Sequence, residues 1–152
     1  MGLKGKLTAQ IEIKAGGDVF HGLLSETPQQ LPNISPNVIQ GCDLHEGKWG
    51  TVGSVYIWKF IHDGKQKVGK DILEASDKEK RALTFNMIEG DLLELYKVFK
   101  IDFHVETHHG IDLVTWTLDY EKLKDEVEEP LTFLGALINL SKDIESYHLK
   151  AK

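Results

Sequence analysis

Residues 45–54 read HEGKWGTVGS, and residues 55–60 continue as VYIWKF. Gly47, Gly50 and Gly53 indicate a loop whose backbone N–H groups can approach an anion, because no Cβ intrudes. Phosphate-binding glycine loops of the G-x-x-x-x-G-K-[ST] and G-x-G-x-x-G types open a helix. Residues 55–60 are instead β-branched and aromatic, which is typical of a strand. The sequence therefore predicts a glycine loop between two strands, without the helix N-terminus that strengthens phosphate binding.

Alternation of apolar and polar residues predicts strands on both sides of this loop. We assign strands to residues 6–14, 38–44, 52–61, 67–76, 80–88, 94–106 and 112–121. Turn sequences such as His62-Asp63-Gly64 and His108-His109-Gly110 separate the later strands, so successive strands are expected to pair antiparallel. In residues 94–106 the alternation places Leu95, Lys97 and Phe99 on the inward face. Lys97 is near the start of the strand, where its amine can reach solvent. A short helix at 18–24 and a proline-rich segment at 28–36 fall between the first two strands.

The C-terminal segment predicts a long amphipathic helix that begins near Glu128-Glu129-Pro130. Its apolar stripe consists of Phe133, Leu137, Leu140, Ile144 and Tyr147. Seven antiparallel strands twist too strongly to lie flat beneath one helix. The expected fold is therefore α+β, a curved sheet that grips one helix and leaves room for an internal cavity.

Composition limits the function classes. The 152 residues, 41% of them hydrophobic, suit one domain spanning residues 1–152. The net charge of −6 argues against nucleic acid as a partner. The chain has no apolar run long enough for a membrane span and no signal-peptide pattern. Cys42, the one cysteine, precludes an intrachain disulfide and fits a cytoplasmic protein.

Several motifs in order resemble the major latex protein-like proteins of plants. These proteins belong to the superfamily of the birch pollen major allergen and the intracellular pathogenesis-related proteins. The motifs are LPNISPN at 31–37, QGCDLHEG at 40–47, WGTVGS at 49–54, IEGD at 88–91, DYEKL at 119–123 and KDIE at 142–145. The resemblance implies a helix-grip fold, with two short helices between the first and second strands and an internal hydrophobic cavity.

The resemblance also implies a function. It predicts a non-enzymatic carrier of small hydrophobic ligands, such as steroids, plant hormones, secondary metabolites or lipids, associated with plant defence and stress. No cofactor is expected, and the sequence identifies no protein partner. Two alternatives stay open, a ribonuclease that uses Glu145, Tyr147 and the glycine loop, and a hormone-sensing or alkaloid-converting member of the superfamily.

The candidate ligand site is the apolar set that the alternation turns inward. It consists of Trp58, Phe60, Leu83, Phe85, Met87, Phe99, Ile101, Phe103, Trp116, Phe133, Leu137 and Leu140. From periodicity alone, ordinary core packing is the favoured interpretation of these residues, and the resemblance brings cavity lining level with it. Asp71 is a candidate polar anchor for a ligand hydroxyl or amine, and the alternative is a solvated acid beside Lys70. His104, His108 and His109 lack further ligands at a familiar spacing, so no metal site is predicted.

Overall fold

The computed structural model describes residues 3–150. The chain begins with β1 (Lys4–Ile13), α1 (Gly17–Ser25), a 3₁₀ turn at Pro28–Gln30 and the one-turn helix α2 (Leu31–Ile34). Six strands follow: β2 (Ile39–Glu46), β3 (Val55–His62), β4 (Lys65–Asp77), β5 (Ala82–Gly90), β6 (Tyr96–His108) and β7 (Ile111–Lys122). A 3₁₀ turn at Asp91–Glu94 separates β5 from β6, and α3 (Leu131–Lys150) ends the described chain. All seven predicted strands are present, with ends shifted by at most three residues.

The seven strands form one antiparallel sheet in the order β1-β7-β6-β5-β4-β3-β2. Two-residue turns make the β3–β4 and β6–β7 hairpins. Asp63 and Gly64 have φ of 52° and 77°, and His109 and Gly110 have φ of 53° and 80°. Positive φ at both central residues is the type I′ geometry, whose twist matches that of the flanking strands. The predicted α+β fold, a curled sheet around a C-terminal helix, is confirmed.

The helix α3 buries one face against the sheet. Its buried residues are Phe133, Leu134, Leu137, Leu140, Ser141 and Ile144. The prediction that the apolar stripe continues to Tyr147 is wrong, because this side chain is 48% exposed. Ile144 is the last buried residue of α3. No helix within residues 3–150 is long and apolar enough to span a bilayer.

A β-bulge corrects the predicted face of the segment that opens β6. The β6–β7 register shifts between Tyr96 and Val98, and such a bulge lets the side-chain alternation skip a residue. Tyr96 is consequently buried, whereas Leu95 precedes the strand and is 42% exposed. Lys97 points to solvent and lies 3.8 Å from Glu121. The inward register of Leu95 and Lys97 is therefore wrong, whereas the expectation that the Lys97 amine reaches solvent is confirmed.

Candidate functional site

The glycine loop between β2 and β3 uses its three glycines for backbone geometry. Gly47, Gly50 and Gly53 have φ of 85°, 78° and 94°, a region that side chains with a Cβ disfavour. A Cβ on Gly47 would also lie 2.3 Å from the Ser54 hydroxyl oxygen. That hydroxyl accepts the N–H of Lys48 at 2.9 Å and donates to the Lys48 carbonyl at 2.7 Å. The loop is thus closed on itself through Ser54.

Two further loop N–H groups are already bonded within the protein. Gly50 N–H donates to the Tyr56 hydroxyl at 2.7 Å, and Gly53 N–H donates to the Leu73 carbonyl at 2.8 Å. The Tyr56 hydroxyl in turn donates to the carbonyl of Ser25, the last residue of α1. An anion cradle needs several free N–H groups that converge on one point. The contacts observed instead tie the loop to α1 and to β4.

An apolar cavity lies between the concave face of the sheet and α3. Its walls come from strands β3 to β7, from α3, and from α1 and the start of β2. The lining residues are Leu24, Val38, Ile39, Trp58, Phe60, Ile61, Asp71, Phe85, Met87, Ile101, Phe103, Trp116, Phe133, Ala136, Leu137 and Leu140. The cavity volume is about 60 Å³, which is room for a few water molecules.

The structure brings eleven of the thirteen candidate ligand residues to this cavity. Leu83 and Phe99 are the two that do not line it. Both are buried, and Phe99 is enclosed by the rings of Tyr96 and Phe133, with centroids 5.1 and 5.0 Å away. These two residues pack the core, which sequence alternation alone does not separate from cavity lining.

The sequence interpretation missed five lining residues: Leu24, Val38, Ile39, Ile61 and Ala136. Leu24 is apolar on the short first helix, a signal available in the sequence. Ala136 lies between Phe133 and Leu137 on α3, where the small side chain widens the space beside its larger neighbours. Contact of any of these residues with a ligand stays a prediction.

Asp71 is the only ionisable side chain among the described residues that line the cavity. On β4 it shares the buried face of Gly69 and Leu73, and only 3% of it is exposed. Desolvation by burial raises the pKa of Asp71 from 3.8 to about 7. The alternative of a solvated acid beside Lys70 is wrong, since Asp71 is buried. Lys70 pairs instead with Glu89 at 3.2 Å.

Glu145 and Tyr147 are not gathered into this cavity. The Glu145 carboxylate accepts the backbone N–H of Lys14 at 2.6 Å, which fastens α3 to the end of β1. The Tyr147 ring is about half exposed near the C-terminal end of α3. Glu145 therefore has a structural role in this fold.

Comparison with known proteins agrees with the fold. The model of the family described as "Pathogenesis-related protein Bet v 1 family" matches residues 2–151. The chain belongs to the Bet v 1 family. Within that family it is 44% identical over 149 residues to MLP-like protein 43 of Arabidopsis thaliana, covering 97% of this chain and 94% of the relative. It is 45% identical to MLP-like protein 34 of the same plant, again over 97% of this chain. The chain spans about half the length of that second relative, 47%.

Comparison with solved structures gives the same fold. Ginseng major latex-like protein 151 from Panax ginseng superposes with a TM-score of 0.94 at 47% identity, over 97% of this chain and 99% of the other. Norcoclaurine synthase from Thalictrum flavum, solved with dopamine and hydroxybenzaldehyde, gives a TM-score of 0.79 at 22% identity, over 98% and 88%. At that identity, the second likeness concerns the fold alone. The similarity to the major latex protein-like proteins is thereby confirmed.

Proposed function

We propose that this Bet v 1 family protein binds a small hydrophobic molecule in its internal cavity and does not transform it. The observation that carries the proposal is an apolar cavity, walled by both the sheet and α3, with a single ionisable side chain. Burial of apolar ligand surface would supply the affinity, and a few polar groups would set the orientation.

The cavity volume limits how the ligand is taken up. At about 60 Å³, the space suits a few water molecules, so a larger ligand requires its walls to move. Met87 is an unbranched and adaptable wall residue. Phe133 lines the cavity, and its ring centroid lies 6.1 Å from that of His62, which borders an open depression outside. We propose Phe133 as the side chain that moves when a ligand enters.

Two arguments favour binding over catalysis. General acid–base conversion of a ligand commonly pairs two titratable groups with different environments, and Asp71 alone ionises among the described residues of the cavity wall. A ribonuclease centre on Glu145 would compete with the bond from this carboxylate to the Lys14 backbone.

The proposal includes a cytoplasmic setting and a part in plant defence. Cys42, the single cysteine, is a buried free thiol, which suits a reducing compartment. The defence role follows the description of the family as pathogenesis-related.

Fluorescence titration with the neutral dye Nile red tests the proposal. We expect saturable binding to the native protein and competition by steroids. Ala136→Phe should weaken the dye's affinity at least tenfold, because the larger ring fills the cavity. Leu131→Phe is the matched control on the same helix, since Leu131 is 62% exposed, and it should leave the affinity unchanged. A folded wild-type protein that binds no dye, or equal affinities of Ala136→Phe and wild type, would refute the proposal.

A further inference from the structure

Two buried polar atoms of the cavity wall have no hydrogen-bond partner. Within residues 3–150 they are Nε1 of Trp58 and Oδ1 of Asp71. Trp58 is 8% exposed and Asp71 is 3% exposed. A buried polar group without a partner typically costs about 1–3 kcal/mol, so native proteins rarely retain one without a use.

The second tryptophan of the cavity shows that this situation is specific to Trp58. Trp116 also lines the cavity, but its Nε1 donates to the Ser141 hydroxyl at 2.8 Å. Ser141 is in turn bonded to the Leu137 carbonyl at 2.9 Å. The protein therefore satisfies one indole N–H of the cavity wall internally and leaves the other without a partner.

The strand register brings the two unsatisfied groups to the same face of the sheet. On β3 and β4, Trp58 pairs with Gly69 and Tyr56 pairs with Asp71. Trp58 and Asp71 are thus diagonal neighbours, a separation that long side chains can bridge. Gly69 itself has no side chain, and the side chains of Met87 and Phe60 pack over it.

We propose that the cavity selects neutral molecules that carry a hydroxyl group, which accepts a hydrogen bond from Trp58 Nε1 and donates one to the Asp71 carboxyl. This inference rests on the proposed function and names the ligand class of the same site. A hydroxyl both donates and accepts, so it satisfies both orphaned atoms.

Other polar groups on a ligand satisfy Trp58 Nε1 and Asp71 Oδ1 less well than a hydroxyl does. An ammonium only donates and leaves the Trp58 N–H without an acceptor. A carboxylate cannot donate to Asp71, and the described lining residues include no lysine or arginine to balance its charge. A hydrocarbon leaves both atoms unsatisfied. The aromatic and aliphatic remainder of the wall suits the apolar body of the hydroxylated ligand.

Four compounds with one aromatic skeleton test the inference: naphthalene, 2-naphthol, 2-(aminomethyl)naphthalene and 2-naphthoate. Calorimetric titration at pH 7 should give 2-naphthol an affinity about tenfold above naphthalene, as expected for two net hydrogen bonds. The ammonium and carboxylate compounds should bind more weakly than 2-naphthol. Equal affinities of naphthol and naphthalene, or tightest binding of the ammonium or carboxylate compound, would overturn the hydroxyl assignment.

Matched variants test whether Trp58 and Asp71 cause the preference for 2-naphthol over naphthalene. Trp58→Phe and Asp71→Leu should each reduce the naphthol-to-naphthalene affinity ratio at least threefold. Trp49→Phe, at a tryptophan that does not line the cavity, should preserve it. Asp71→Asn retains a donor and an acceptor, so it should keep much of the ratio and provides a second test if Asp71→Leu does not fold. A folded Trp58→Phe variant whose naphthol-to-naphthalene affinity ratio equals that of the wild type would contradict the inference. If neither Nile red nor any of the four compounds bound the wild-type protein, the proposed function itself would fail.

Discussion

Substitution of Asp71 by asparagine should stabilise the protein in a pH-dependent manner. Burial raises the pKa of Asp71 from 3.8 to about 7. Between these two values the folded chain retains a proton that the unfolded chain has released, so the carboxyl lowers stability progressively as pH rises through this window. Below the pKa of Asp71 in the unfolded chain, this loss of stability vanishes. Above its pKa in the folded chain, the loss is complete.

The magnitude follows from the two pKa values. A difference of roughly three units corresponds to about 4 kcal/mol at high pH, since each unit is worth about 1.4 kcal/mol. Over the experimentally convenient range from pH 5 to 8, this cost grows by about 2–3 kcal/mol. The asparagine amide does not titrate, so any cost of its own burial is the same at both pH values. The difference between variant and wild type isolates the ionisation of Asp71.

Urea unfolding followed by tryptophan fluorescence and circular dichroism measures this difference. The stability of Asp71→Asn relative to wild type should rise by about 2–3 kcal/mol when the pH is raised from 5 to 8. Asp43→Asn is the matched control, because Asp43 is exposed on β2 and its carboxyl stays in water in both states. A stability difference for Asp71→Asn that is identical at pH 5 and pH 8 would refute the reasoning.

Two further substitutions test the loop anchor and ligand access. Tyr56→Phe should lower the free energy of unfolding by about 1–3 kcal/mol, because it leaves the Gly50 N–H and the Ser25 carbonyl without their partner. Tyr147→Phe, at an exposed position, should change it little, and equal urea midpoints for the two variants would contradict this role. Phe133→Ala should increase the association rate of Nile red several-fold in stopped-flow fluorescence, and an unchanged rate in the folded variant would exclude Phe133 as the moving side chain.

Local patterns made the strands and the long helix predictable from sequence. Strict alternation at residues 6–14 and the turn sequences around Gly64 and Gly110 depend only on neighbouring residues. They therefore indicate strand positions and antiparallel pairing without any knowledge of the rest of the chain. The errors at Leu95 and Lys97 have one cause, since the bulge between Tyr96 and Val98 is a property of pairing with β7.

The sequence by itself determined an α+β chain whose sheet strands and C-terminal helix each carry an apolar face. Only the tertiary structure decided where those faces meet and where they leave a cavity. Phe85 and Phe99 follow the same alternation, yet Phe85 lines the cavity and Phe99 is packed between Tyr96 and Phe133. Asp71 became a buried, unpaired acid for the same reason: burial and hydrogen bonding depend on residues that are distant in sequence and meet only when the sheet curls around α3.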